Sequence, residues 1–145
     1  MFEEDLEKYS LKGKFNFKSG DSLADKCNAP TNKSGVYLIY KVINGKEELI
    51  YIGSSGQKKD GVLKTRQTGM GGMKDRIVNG YHPKFGKIKR HKVFPTQMRK
   101  ELIPELKFYW WVTYDGENVD FPTDTETLLR DKYQTKFNKL PDWHK

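Results

Sequence analysis

The sequence predicts an α+β domain, with a small, mainly antiparallel sheet of about three strands flanked by helices. Three observations carry that prediction. Residues 36–43 (VYLIYKVI) and 48–53 are rich in β-branched and aromatic residues and flank Asn44-Gly45, a strong hairpin turn signal. Residues 106–114 (LKFYWWVTY) make a further strand-like run closed by Asp115-Gly116. Leu129, Tyr133 and Phe137 then recur at helical spacing after a proline.

Along the chain, Phe2, Leu6 and Tyr9 at helical spacing predict a helix over 2–11, and Lys14–Phe17 a brief strand. Residues 18–34, rich in Gly, Asp, Asn, Pro and Ser, read as a loop. The hairpin occupies 35–53 and leads into a glycine-punctuated polar stretch, 54–72. A helix starts near Gly72 or Met73 and stops at Asn79-Gly80, where both residues favour a left-handed cap. Residues 84–94 are ambiguous, and 96–103 read as a helix ending before Pro104. The last helix begins near Pro122 with Thr123 and Glu126 spaced as a capping box, and ends near Phe137–Asn138. Residues 1–32 are a helix and lead-in packed on the core, and 33–145 the main body of one compact domain.

A chain of 145 residues can bury a proper core. Its net charge is +8, from 27 Lys+Arg against 19 Asp+Glu. Residues 84–100 are rich in Lys and Arg and contain no acidic residue. That stretch predicts a phosphate-contacting surface through Lys87, Lys89, Arg90 and Lys92, the plainer reading being a solvated basic face. No apolar run approaches the roughly 18 residues of a membrane helix. The opening MFEEDLEKYS lacks a signal-peptide core. Cys27, the one cysteine, cannot form an internal disulfide, and a reducing, cytoplasmic location is expected. No Cys/His spacing suits zinc, and His82, His91 and His144 read as scattered surface residues.

Gly35-Val36-Tyr37 and Tyr51-Ile52-Gly53 lie fourteen residues apart, tyrosine to tyrosine, one on each hairpin strand. Arg76 on the next helix, Glu126 on the last one, and Asn138 twelve residues beyond it extend the set. This ordered set resembles the GIY-YIG nucleases over about residues 33–143. Asp75–Gly80 (DRIVNG) and Tyr109-Trp110-Trp111 resemble the restriction-enzyme branch of that family. The resemblance implies that Tyr37 takes a proton from the attacking water and that Tyr51 positions it. It also implies that Arg76 clamps the scissile phosphate and that Glu126 binds one Mg²⁺ (or Mn²⁺). Gly35, Gly53 and Asn138 would brace the site.

The residue types suit that chemistry. Phosphodiester hydrolysis needs an activated water and neutralised transition-state oxygens. One carboxylate can suffice for Mg²⁺, and an arginine fork matches a phosphate. A tyrosine base, ordinarily near a pKa of about 10, needs a neighbouring cation, and Lys64 is the candidate. Arg66 competes with Arg76 but precedes a poor helix, so it is read as a phosphate contact. Ser54-Ser55 stands where many relatives have lysine. Gly80 occupies a usual Tyr or His position, which Tyr81 is expected to fill in preference to His82. Glu126 has the alternative role of helix cap, with Asp124 and Glu117 as fallback carboxylates. Of Trp110 and Trp111, one is expected in the core and the other against the N-terminal segment.

Strand parity constrains the hairpin. A two-residue Asn44-Gly45 loop with regular strands would place Tyr37 and Tyr51 on opposite faces. A shared site therefore predicts a three- or five-residue loop, such as Asn44-Gly45-Lys46 with a bulge.

The functional expectation is a metal-dependent endonuclease acting on double-stranded DNA. The chain ends nineteen residues after Glu126, which favours a standalone, restriction-like enzyme over members with long DNA-binding tails. Cleavage of both strands with one site per chain would favour a homodimer. The alternatives are a non-catalytic nucleic-acid-binding module of the same fold, or a basic interaction protein.

Overall fold

The computed structural model describes residues 1–145. In chain order the elements are α1 (Glu3–Leu6), β1 (Lys12–Phe17), α2 (Leu23–Lys26), β2 (Ser34–Ile43), β3 (Lys46–Ser55), β4 (Gln57–Lys59), β5 (Val62–Lys64), α3 (Gly72–Asn79), α4 (Arg90–Glu101), β6 (Glu105–Tyr114) and α5 (Pro122–Phe137). The main sheet has four antiparallel strands in the order β1-β6-β2-β3. Strands β4 and β5 form a separate two-stranded ribbon. No helix is long and apolar enough to cross a membrane.

The sheet is covered on both faces. Phe15, Phe17, Tyr37, Ile39, Tyr51, Leu106, Phe108 and Trp110 share one core with Leu23 of α2, Met73 and Ile77 of α3, and Val93, Phe94 and Met98 of α4. Val36, Leu38 and Ile52 face the other way, onto Leu129 and Tyr133 of α5 and onto Phe2, Leu6 and Tyr9. Cover on both faces explains why β2 reads as a continuous apolar run rather than an alternating one. Trp110 lies in the first core, and Trp111 packs against the N-terminal cluster, as expected.

Several boundaries differ from the sequence expectation for physical reasons. Helix α1 stops at Leu6, yet Phe2, Leu6 and Tyr9 are all buried, because the chain must turn early to lay β1 beside β6. The lead-in thus supplies a sheet strand as well as a cover. Helix α4 starts at Arg90 and contains Pro95, which removes one backbone hydrogen bond. Burial of Val93, Phe94 and Met98 holds the helix together across it.

The hairpin turn is a correction. Asn44 (φ 53°) and Gly45 (φ 77°) make a two-residue turn, with Ile43 opposite Lys46. Positive φ at both positions is what this turn chemistry favours. The parity is restored further along by a bulge: Tyr40 pairs with Leu49, but Ile39 pairs with Tyr51, leaving Ile50 as the extra residue. Beyond the bulge Tyr37 pairs with Gly53, and both tyrosines enter the core beneath α3 and α4.

Candidate active site

Two glycines set the spacing around the tyrosines. A Cβ at Gly53 would lie 2.5 Å from Cζ and Oη of Tyr37 and 2.7 Å from Cε2 of Tyr51, so only hydrogen leaves room for both rings. A Cβ at Gly35 would sit 1.9 Å from the Trp111 carbonyl oxygen, so this glycine lets β2 approach β6. The two phenol rings are 6.2 Å apart, centroid to centroid. Tyr37 is wholly buried, whereas Tyr51 lines an open cleft. That reverses the expected order, in which Tyr37 reached the attacking water.

Arg90 is the largest departure from expectation. Its sequence context places it on a basic outer face, but it is completely buried beside the tyrosines. Its Nη1 donates a hydrogen bond to the Tyr37 hydroxyl. Its Cζ lies 5.5 Å from the Tyr37 ring centroid and 5.7 Å from that of Tyr51. No carboxylate pairs with it, and its Nε and Nη2 have no partner. Burial disfavours its charge, but the phenols of Tyr37 and Tyr51 outweigh that and hold the guanidinium charged. A signal for this placement existed: Arg90 is three and four residues ahead of buried Val93 and Phe94, on the apolar stripe of its helix. Lys87, Lys89 and Lys92 are exposed, as a solvent-facing basic stretch requires.

The histidines also depart from expectation. His82 is buried, and its ring centroid is 4.3 Å from that of Tyr51. His144 stacks on Tyr51 at 4.6 Å. Tyr81, expected in the site, is 52% exposed and bridges instead to Lys89. The segment after α5 returns to the sheet edge: Trp143 N–H donates to the Ile50 carbonyl at 2.9 Å, and Ile52 N–H donates to His144 Nε2 at 3.0 Å. Those bonds satisfy the free edge of β3 beside Tyr51.

Burial, with Arg90 acting the same way, pushes the His82 imidazole down to about 3. Burial, then Arg130 and Lys84, push that of His144 down to about 4. Both are neutral in the fold at neutral pH, while in the unfolded chain they charge below about pH 6.5. Their stabilising contribution is full above that pH and is lost as pH falls toward the folded values. Each histidine should remove about 1.4 kcal/mol per pH unit in that window. Denaturant unfolding from pH 7 to pH 4 should show this, with a shallower loss in His82→Phe.

The cleft has a volume of about 230 Å³ and is lined by Tyr51, Ser54, Arg76, Glu126, Arg130 and His144, among others. It lies at the β3 edge of the sheet, where α3 from one face meets α5 from the other. Ser54 Oγ donates to Glu126 Oε1 at 2.6 Å, and Arg130 Nη1 approaches Oε2 at 3.3 Å. Glu126 does not cap its helix: Phe121 is the N-cap, with no side-chain capping bond. Burial pushes the Tyr51 phenol above the usual tyrosine range; Tyr37 adds to the shift, Arg90 opposes it, Glu126 adds to it and Arg76 opposes it.

Other expected site residues have different places. Arg66 Nε donates to Asp75 Oδ2 at 2.7 Å, and Asp75 also accepts from Met70 N–H and Asn79 Nδ2. Arg66 therefore ties the glycine-rich stretch to α3, while Arg76 stays available to the cleft. Lys64 is exposed on β5, and the cations acting on Tyr51 are Arg90 and Arg76 in its place. Asn138 is an exposed left-handed cap (φ 57°) whose N–H bonds to the Gln134 carbonyl. It ends α5 and lies outside the cleft. Asp124 lines a different hollow, with Tyr9 and Asp120, and Glu117 is exposed.

No group of three or more His, Cys, Asp or Glu side chains is assembled to hold a metal. The cleft offers one carboxylate, Glu126, braced by Ser54. That donor set is too sparse for zinc and fits Mg²⁺ or Mn²⁺ kept mostly by water and a ligand's phosphate oxygens. No protein-family model, curated protein or solved structure matches this chain.

Proposed function

We propose that the chain is a metal-dependent phosphodiester hydrolase of the GIY-YIG type, cutting double-stranded DNA. The observation that carries the reading is the convergence at one cleft of Tyr51, Arg76 and Glu126, with Tyr37 directly behind Tyr51. These residues come from β2, β3, α3 and α5; the two tyrosine rings also serve the core, whereas Arg76 and Glu126 do not belong to it.

In this reading Arg76 orients the scissile phosphate with its fork of donors. Glu126, held by Ser54, would hold Mg²⁺, which when bound neutralises charge on the phosphate oxygens and acidifies a bound water. Tyr51, in its minor phenolate form, would accept the proton of the attacking water and become the neutral phenol. Tyr37 supports Tyr51 from the core side, its own oxygen fixed by Arg90. Burial, Tyr37 and Glu126 together hold Tyr51 protonated, and Arg90 and Arg76 oppose that without overcoming it.

The test is a plasmid-nicking assay with Mg²⁺ or Mn²⁺ and with chelator. Cleavage should require the metal. Under single-turnover conditions the rate should rise with pH from 6 to 9, by up to about tenfold per unit, because the reactive phenol is mostly protonated there. A flat profile argues against a tyrosine base. One observation favours a second reading, a non-catalytic nucleic-acid-binding module: the cleft contains a single side-chain carboxylate, and the one phenol lining it, Tyr51, is deeply buried. Salt-dependent DNA binding without cleavage on varied DNA and RNA substrates would select it.

A further inference from the structure

The ribbon formed by β4 and β5 leaves the main sheet directly after β3, through Gly56 at φ 106°. It turns at Asp60 (φ 54°) and Gly61 (φ 74°) and pairs with no other strand. Its register puts Gln57 opposite Lys64, Lys58 opposite Leu63, and Lys59 opposite Val62. Directly opposed residues share a face, and the faces alternate along each strand. Gln57, Lys59, Val62 and Lys64 therefore form one face, and Lys58 and Leu63 the other.

The two faces differ in what they meet. Lys58 Nζ lies 4.7 Å from the ring centroid of Phe121 at the start of α5, and Leu63 is half-buried. That face anchors the ribbon. The opposite face is exposed at all four positions, with Val62 at 55%. An exposed valine between two lysines and a glutamine serves no core. At the root of the ribbon, beside the Gln57–Lys64 pair of this exposed face, runs a groove of about 420 Å³, lined by eleven residues, none of them hydrophobic. Its cations are Lys64, Arg66 and Arg76, it has no acidic side chain, and it shares Ser54 and Arg76 with the cleft.

We infer that this ribbon is the sequence-reading element for duplex DNA, its exposed face entering the major groove while the polar groove at its root, on the same side, takes the adjoining phosphates. The inference rests on the nuclease reading for the placement of the scissile phosphate, and on the ribbon alone for recognition. A two-stranded ribbon fits the width of the major groove. The exposed set suits its edges: Lys59 for guanine acceptors, Gln57 for the adenine donor–acceptor pair, and the Val62 methyls for the thymine methyl, with Lys64 at the root left to the phosphates. The groove's cations and hydroxyls suit backbone phosphates, which position without specifying.

The test uses Glu126→Gln protein, so that DNA is bound without being cut. Anisotropy with labelled duplex across a salt series compares this protein with the same protein carrying Lys59→Gln and Lys64→Gln, and with a control carrying Lys87→Gln, Lys89→Gln and Lys92→Gln. The ribbon pair should weaken duplex binding about tenfold or more and flatten the salt slope by roughly 0.9 for each phosphate no longer neutralised. The control should change both less. Selection from a random duplex pool should enrich a preferred sequence that changes at one or two positions in Gln57→Ala and in Val62→Ala. Unchanged affinity in the ribbon pair, a larger loss in the control, no enriched sequence, or the same sequence in the alanine variants would each overturn the inference. Wild-type cleavage is scored separately. Ribbon-dependent binding without any cleavage would overturn the nuclease reading and leave the ribbon's role standing. Cleavage with ribbon-independent binding would do the reverse.

Discussion

Replacing Arg90 with methionine should leave the fold as stable as before, or more so, while cleavage falls on the order of 10²–10³-fold. The argument starts from burial. A guanidinium removed from water is unfavourable unless paired and hydrogen-bonded. Arg90 is fully buried, faces no carboxylate, and leaves two nitrogens without partners. Apolar replacement of even a paired buried charge is often neutral or stabilising by about 1–4 kcal/mol, and Arg90 lacks a paired carboxylate whose charge its removal would strand. Part of that gain is offset, because Tyr37 loses the donor on its hydroxyl. Catalysis should suffer because Arg90 is the strongest positive influence on Tyr51, ahead of Arg76. Denaturant unfolding and single-turnover cleavage separate the two effects. Arg90→Lys, which keeps the charge, should retain more activity than methionine. A methionine variant that unfolds far more easily yet cleaves normally would make Arg90 a structural residue.

Glu126→Gln should abolish cleavage, by on the order of 10³-fold or more, without loss of fold or DNA binding. Glutamine keeps an oxygen to accept the Ser54 hydroxyl bond and preserves side-chain volume. What it loses is the negative charge, the only one lining the cleft from a side chain. Affinity for duplex DNA should be retained or should increase, since a like charge near the phosphate is removed. Plasmid nicking and anisotropy on the same preparation measure both. Equal cleavage by wild type and variant would point to a contaminant or to a different metal ligand.

The contrast between Arg90 and Arg76 shows how much of the site was legible. Arg76 stands out by its place in an ordered set and by the helix quality around it, and it lines the cleft. Arg90 sits in a run of lysines whose composition reads as solvent-facing, and only its offset from Val93 and Phe94 hints otherwise. The histidines are harder. Nothing local to His82 or His144 tells that both pack on Tyr51, because those contacts join segments far apart in the chain. Glu126 is legible as a residue but ambiguous in role, until the helix proves to start at Phe121 without its capping bond.

The hairpin separates the two sources of information. Local chemistry in the sequence determined β2, β3 and β6, the Asn44-Gly45 turn, and the last helix with its stop at Asn138, because φ preferences and apolar periodicity act over a few residues; the β4–β5 ribbon, inside a stretch that reads as polar loop, was not legible. It also determined that the two tyrosines could share a face only through a break in strand parity. Tertiary packing alone decided where that break falls. A bulge at Ile50 shifts one residue and carries no residue signature of its own. Packing likewise decided which phenol faces the cleft and which cation sits behind it, because both follow from how α3, α4 and the returning residues 143–144 close over the sheet. Those contacts are set by the summed fit of distant surfaces, which no short stretch of the chain encodes.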